Sequence, residues 1–367
     1  MTILIFFLIL FVLILVHEFG HFATAKWFGI RVDEFGIGFP PKLFGKKFGE
    51  TEYTFNWLPI GGFVRIFGEN PDEENTEGPD RARSFVHKPK WQQAIVLLAG
   101  VTMNVLLAWV LLVGAFMIGM PTQVLDEEVA TVENPRLLIL DAAPETPASL
   151  AGLQASDEIV GLENQAGETV DQLTVGAVTG FISTHAEEEL TFTIERGGET
   201  ETVLVTPATN ILPDDPDRAM VGINLALAGI VSLPVHQAIK EGSLMTWNLL
   251  SQITVGTILF IKDAFTFKAD FDQVAGPVGI VGMVGDASSL GLAYLVTFTA
   301  FISLTLAVIN LLPFPALDGG RLVFVLIEAI TRRPIPHVIA NNANRVGFVL
   351  LLLLMVAVTY NDIVKLL

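Results

Sequence analysis

Residues 1–25 read MTILIFFLILFVLILVHEFGHFATA. Crossing the hydrocarbon core of a bilayer takes about 20 predominantly apolar residues as a helix. This run is long enough, and only His17, Glu18 and His21 interrupt it. Ionisable side chains at that depth are costly and point to function by default. Their order, His17-Glu18-Phe19-Gly20-His21, is H-E-x-x-H. On a helix, positions i and i+4 share a face, so both imidazoles can hold one zinc ion. Glu18, beside the first His, then fits the general base for a zinc-activated water. A polar patch that served only helix packing would have no need of this spacing. The rival reading of the run is a secretory signal peptide cleaved near Ala23-Thr24-Ala25. Such a peptide wants a positive n-region, and no Lys or Arg precedes the apolar stretch here.

Three further apolar stretches follow. Ala94–Met120 and Leu290–Leu312 are uncharged, and Val346–Tyr360 continues into a mostly apolar tail ending at Leu367. The expected fold class is therefore a polytopic α-helical membrane protein with four transmembrane helices, at 1–25, 94–120, 288–312 and 344–367. Composition agrees. Charged residues make up 16% of the 367, and mean hydropathy is +0.58, against about 25% charged in soluble domains. The absence of cysteine excludes disulfides, thiolate metal sites and thiol nucleophiles, so a metal must be held by His, Asp or Glu. A formal charge of −18 opposes nucleic-acid binding.

The acidity is concentrated. Residues 126–241 hold 21 Asp/Glu against 4 Lys/Arg, whereas residues 25–90 hold 10 of each. Cationic residues mark the cytoplasmic side. The segments after the first span (Lys26 to Lys90) and after the third (Arg321, Arg332, Arg333, Arg345) are thus expected inside. The acidic block and both termini are expected outside. Residues 126–208 read as a small β-rich domain with strands at Glu158–Leu162, Leu190–Glu195 and Thr202–Thr206, and a hairpin turn at Gly197-Gly198. Within it, Ala148–Gln154 followed by Asp157–Val160 reads as short helix, turn and strand. Residues 233–268 read as amphipathic helix at the outer membrane surface. Glu69–Asp80 reads as a mobile loop. Gly100, Asn104 and Gly114 suit close helix contacts.

A catalytic zinc site needs a third protein ligand and an open position. Asp318 is the best candidate among the membrane-located acids. It follows Asn310-Leu311-Leu312-Pro313-Phe314-Pro315-Ala316-Leu317. Pro313 and Pro315 break the helix, which is tolerated at membrane depth where a cavity is lined. Gly319 and Gly320 allow a tight turn. Glu328 is a weaker alternative that reads as a solvated or paired acid. His87, His185, His236 and His337 read as surface or interfacial.

These motifs resemble the site-2 protease family of intramembrane zinc metalloproteases, in its bacterial regulator-of-sigma protease branch, over nearly the whole chain. His17–His21 resembles the zinc-binding and catalytic motif, and Asn310–Asp318 the N-x-x-P-x-P-x-L-D-G motif that supplies the third ligand. Pro59–Arg65 resembles the membrane-re-entrant β-hairpin, expected here over about 52–68. Ser84-Phe85, Lys88-Pro89 and Trp91 resemble the stretch before the second span, and Gly276–Ile280 a segment before the third. Ala151–Gln154 with Asp157–Val160 resembles a PDZ marker, so the inserted extracytoplasmic domain is expected to be a single PDZ-like α+β domain. Span two departs from the family's G-P-x-x-N, reading Gly100-Val101-Thr102-Met103-Asn104.

The resemblance implies Zn2+ as cofactor, a multi-pass place in the bacterial cell (inner) membrane, and transmembrane protein or peptide substrates already shortened outside. Those substrates would be anti-sigma factors or remnant signal peptides. Gly62, Phe63, Val64 and Arg65 are expected to hold an extended substrate by strand addition. Pro313 and Pro315 are expected to bind substrate with them. Asn310 either holds the unwound substrate, as the resemblance implies, or caps a helix end before Pro313. A non-catalytic membrane PDZ scaffold would leave His17, Glu18, His21 and Asp318 unexplained together. An inactive family member would bind zinc without turnover. A zinc transporter would want ionisable residues through the other spans, which offer few.

Overall fold

The computed structural model describes residues 1–69, 78–124, 133–209, 218–266, 268 and 274–365. They form two compact units: Met1–Ala115 with Pro234–Leu367, and Phe116–Leu233.

The first unit begins with helix α1 (Thr2–Trp27), which buries Leu13, His17, Gly20, His21 and Ala25 along one side. Strands β1 (Val32–Phe48) and β2 (Thr51–Ile66) follow. Both are too long to pair once end to end. Glu34 pairs with Arg65 and with Glu52, Phe35 with Val64 and Tyr53, and Ile37 with Gly62 and Phe55. Residues 34–37 therefore lie between 52–55 and 62–65, which leaves 62–65 on an edge. Residues 42–48 pair along the far side of 51–56.

One end of this sheet is tied to the end of α1, because Glu50 in the β1–β2 turn pairs with Lys26 and with Arg83. Lys26, then Arg83, holds the Glu50 carboxyl below the usual carboxylate range. The other end lies further back along α1. A Cβ on Gly62 would sit 3.8 Å from both Glu18 Cγ and Ile14 Cγ2. Ile14 is twelve positions, or about 18 Å of helix, before Lys26. The sequence reading expected a hairpin at 52–68, whereas the sheet begins at Val32. Gly36, Gly38, Pro40, Pro41 and Gly45 hide β1, since such residues read as strand breakers.

After two 3-10 turns at Arg81–Arg83 and Phe85–His87, helix α2 spans Lys90–Ile118. The loop expected at Glu69–Asp80 lies largely outside the described residues.

The second unit is an α+β fold. Its strands are β3 (Met120–Val124), β4 (Glu133–Ala142), β5 (Glu158–Asn164), β6 (Leu190–Arg196), β7 (Glu199–Val205) and β8 (Ile223–Val231). They form one antiparallel sheet in the order β3-β8-β4-β5-β6-β7. Helices α3 (Pro147–Ala151) and α4 (Val175–Thr184) complete it. Alternation in β6 sends Leu190, Phe192 and Ile194 into the core. The Gly197-Gly198 turn joins β6 to β7, with both φ values positive as a type I′ two-residue turn requires. Asp157, fully buried, accepts from both Arg196 Nε and Nη2 at 2.7 Å. The sequence reading ended this domain at 208. The sheet instead closes through β8, whose nearly unbroken apolar run INLALAGIV lacks the two-residue alternation of a half-buried strand.

The chain then returns to the first unit. Helix α5 (Val235–Phe265) is continuous, and α6 (Pro277–Ser289), α7 (Leu292–Leu311), α8 (Asp318–Thr331) and α9 (His337–Lys365) follow. By length and composition five helices among the described residues could cross a membrane: Thr2–Trp27, Lys90–Ile118, Val235–Ala264, Leu292–Leu311 and Val338–Lys365. The sequence reading counts four and gives the region of α5 to the outer surface. α5 packs beside α2 and α7, where Met245, Leu249 and Ile253 meet Ala108, Leu112, Ala300 and Leu304. The segment expected as a loop from 313 contains α8, and Asp318 opens that helix. Gly319 and Gly320 make no turn. They are buried in the first turn of α8, where a Cβ would run into the carbonyls of Leu311, Leu312 and Phe314.

Candidate metal centre

Helices α1 and α2 cross closely. A Cβ on Gly20 would lie 2.5 Å from the Ala99 carbonyl oxygen, and one on Gly100 would collide with His21 Nε2 and lie 2.8 Å from His17 Nε2. The bare backbone at Gly100 is thus the wall against which both buried imidazoles rest. Gly114, by contrast, faces open space.

Each imidazole has an outer partner that leaves Nε2 for a metal. His21 Nδ1 donates to the Val96 carbonyl at 2.8 Å. That bond fixes the tautomer with the Nε2 lone pair free. His17 Nδ1 faces Nδ2 of the buried Asn104 at 3.4 Å. Among the described residues, Asn104 Oδ1 is buried without a hydrogen-bond partner. Amide oxygen and nitrogen are assigned from their hydrogen bonds. With the amide turned over, Oδ1 accepts from His17 Nδ1–H, which leaves the His17 Nε2 lone pair free for a metal.

Asp318 offers a third donor. Its Oδ2 lies 3.0 Å from His17 Nε2 and 3.3 Å from His21 Nε2, and the two Nε2 atoms are 3.2 Å apart. An acid in the first turn also suits the positive end of the helix dipole. Two nitrogens and one carboxylate oxygen converging from one side match a catalytic zinc site with an open position. The donor set fits zinc, and so does the Asn104 contact that leaves His17 Nε2 free.

A cavity of about 370 Å³ opens beside these donors. Glu18 lines it next to them, and the backbone N–H of Val64 donates to the Glu18 carboxylate. Phe63, Val64 and Arg65 of the edge segment also line it, with Gly62 next to Glu18. Asn310, Pro313 and Pro315 are not among the lining residues, although Ala316 is. Glu328 is held by Lys90 at 2.5 Å and accepts from the Ile335 N–H. It is a paired acid, away from the donor set. Sequence reasoning missed Arg321 and Glu69, an ion pair that also borders the cavity. The signal for Arg321 was its position three residues after Asp318 on a helix. Glu69 had none.

The profile for Peptidase family M50 matches residues 5–354. A Clostridium perfringens protein named "Putative zinc metalloprotease CPE1693" is 38% identical over 352 residues, covering 96% of this chain and 95% of its own. "Zinc metalloprotease RasP" of Geobacillus kaustophilus is 30% identical over 430 residues, covering 96% and 95%. The chain belongs to Peptidase family M50, the site-2 protease family, and is a zinc metalloprotease.

Proposed function

We propose that this protease hydrolyses peptide bonds inside the transmembrane segment of single-span proteins already shortened on their outer side, of the anti-sigma factor or remnant signal peptide class. One observation carries the reading. His17, Glu18, His21 and Asp318 share a cavity with an edge of sheet, and α1 is apolar enough to span the bilayer.

A substrate helix hides its peptide bonds in its own hydrogen bonds, so it must unwind to be cut. The edge at Gly62–Arg65 offers main-chain pairing to an extended stretch, which replaces the lost bonds where no water can. Zinc held by His17, His21 and Asp318 would supply Lewis acidity toward the scissile carbonyl and the attacking water. Glu18 takes the water's proton and delivers it to the leaving nitrogen. The Val64 N–H aims the Glu18 carboxylate during both transfers.

Four spans, α1, α2, α7 and α9, with both termini and the second unit outside, account for the pairing of their ends. Gly285 of α6 lies beside Thr2, and Asp362 of α9 accepts from the N–H groups of Gly276 and Gly279. A full crossing by α5 would leave the eleven residues between α5 and α6, 266–276, for the return. They would have to run nearly fully extended, at about 3.3–3.6 Å each, through a core about 30 Å thick. Extended backbone in lipid leaves its polar groups unpaired, so α5 enters from the outer side and stops short. The second unit, with its short helix, Gly152 turn and strand, is a PDZ-like filter that keeps bulky outer domains from the cavity.

Mapping the products tests the reading. A reporter with one span should be cut within that span when its outer domain is removed, and resist when a folded outer domain is kept. Cleavage confined to loops outside the span would contradict it.

A further inference from the structure

Arg321 brings a permanent charge to the cavity that holds Glu18 and the metal donors. It stands three residues after Asp318, the spacing that puts two side chains on one helix face. Helix energetics do not ask for it there, since a cation near a helix N-terminus opposes the dipole. Its side chain, 33% exposed, pairs with Glu69. The other cation lining the cavity, Arg65, is engaged by Glu34 at 3.1 Å, and its side chain is 63% exposed.

Resting on the peptidase reading above, we propose that Arg321 is a further catalytic residue, whose guanidinium donates to the scissile carbonyl oxygen and holds the negative charge that grows there. As the water oxygen bonds to the carbonyl carbon, the C=O electron pair moves onto that oxygen and the water's proton passes to Glu18. The pair returns as the C–N bond breaks and Glu18 protonates the leaving nitrogen. Arg321 stays protonated throughout. A guanidinium has five N–H donors, so pairing with Glu69 orients it and leaves donors for substrate.

The test uses purified, zinc-loaded full-length protein and a trimmed single-span reporter. Arg321→Gln, Arg321→Lys and Glu69→Gln are compared for kcat, KM and zinc content. Reporter binding is measured with Glu18→Gln alone and with Glu18→Gln plus Arg321→Gln. Losing an oxyanion donor costs about 10²–10³ in kcat. Arg321→Gln should show that loss with zinc content and reporter binding retained. Arg321→Lys should recover part of it, and Glu69→Gln should cost far less. Equal losses in Arg321→Gln and Glu69→Gln would make the pair a structural tie and overturn the proposal. So would zinc loss or lost reporter binding that accounts for the whole effect. If Arg321→Gln does not fold, Arg321→Lys decides: a lowered kcat at unchanged KM supports the proposal, and a wild-type kcat overturns it. Failure of the wild type itself to cut any reporter, with zinc bound, would sink the peptidase reading instead.

Discussion

His17 Nε2 lies 3.0 Å from Asp318 Oδ2, although 301 positions separate them in the chain. The first belongs to α1, at the start of the chain, and the second opens α8, near its end. Their meeting depends on two close approaches, α1 against α2 at Gly20 and Gly100, and the first turn of α8 against the end of α7 at Gly319 and Gly320. The candidate metal centre is therefore a property of helix packing, and substitutions outside His17, His21 and Asp318 should disturb it.

Asn104 is the clearest case. It lies on α2 and reaches only the outer nitrogen of His17. Losing such an outer partner typically costs about 10–100-fold in metal affinity. Asn104→Ala should lower zinc affinity by that amount, measured by competition with a graded chelator, and excess zinc should restore cleavage. An unchanged affinity would mean that His17 needs no orienting partner.

Gly100 and Gly114 on the same helix should behave oppositely. Gly100→Ala places a methyl against both imidazoles, and overpacking of this kind costs about 1–3 kcal/mol. It should lower the thermal midpoint in detergent and shed zinc. Gly114→Ala meets open space and should be neutral or stabilising by up to about 1 kcal/mol, through helix propensity alone. Equal behaviour of the two would contradict the close crossing.

Glu50 gives a pH dependence of defined sign. Its carboxyl is held below the unfolded value of about 4.3, first by Lys26 and then by Arg83. A lowered folded value means that the pairs stabilise the fold above the unfolded value. That contribution disappears as pH falls through the folded one. The side chain is 32% exposed, so screening limits the gain to about 1 kcal/mol or less. Glu50→Gln should lower the unfolding midpoint at pH 7, and the difference from wild type should shrink below about pH 4. A difference constant across that range would contradict the pairing.

The legible parts of this protein were the local ones. The H-E-x-x-H spacing is complete within one helical turn, and the apolar background makes three ionisable residues stand out. Asp318 was legible through its Pro- and Gly-rich setting, but that setting pointed to a loop. Gly319-Gly320 reads as a turn unless the carbonyls of α7 packed against it are known. β1 was hidden by its own glycines and prolines, whose pairing partners lie up to 34 positions away, as Val32 with Ile66 does. β8 was hidden because a central strand buried on both sides loses its alternation. Arg321 and Glu69 meet only after the sheet and α8 have folded, so no pattern in the sequence joins them.

The most direct measurement is cleavage of a trimmed single-span reporter by purified protein, wild type beside Glu18→Gln, with zinc content determined for both. The substitution keeps all three metal donors and removes the base, a loss worth about 10²–10⁴ in rate. The expected result is cleavage by wild type, loss of that order in Glu18→Gln, and equal zinc in the two proteins. Equal cleavage by both would contradict the assignment of Glu18 and of the cavity it lines.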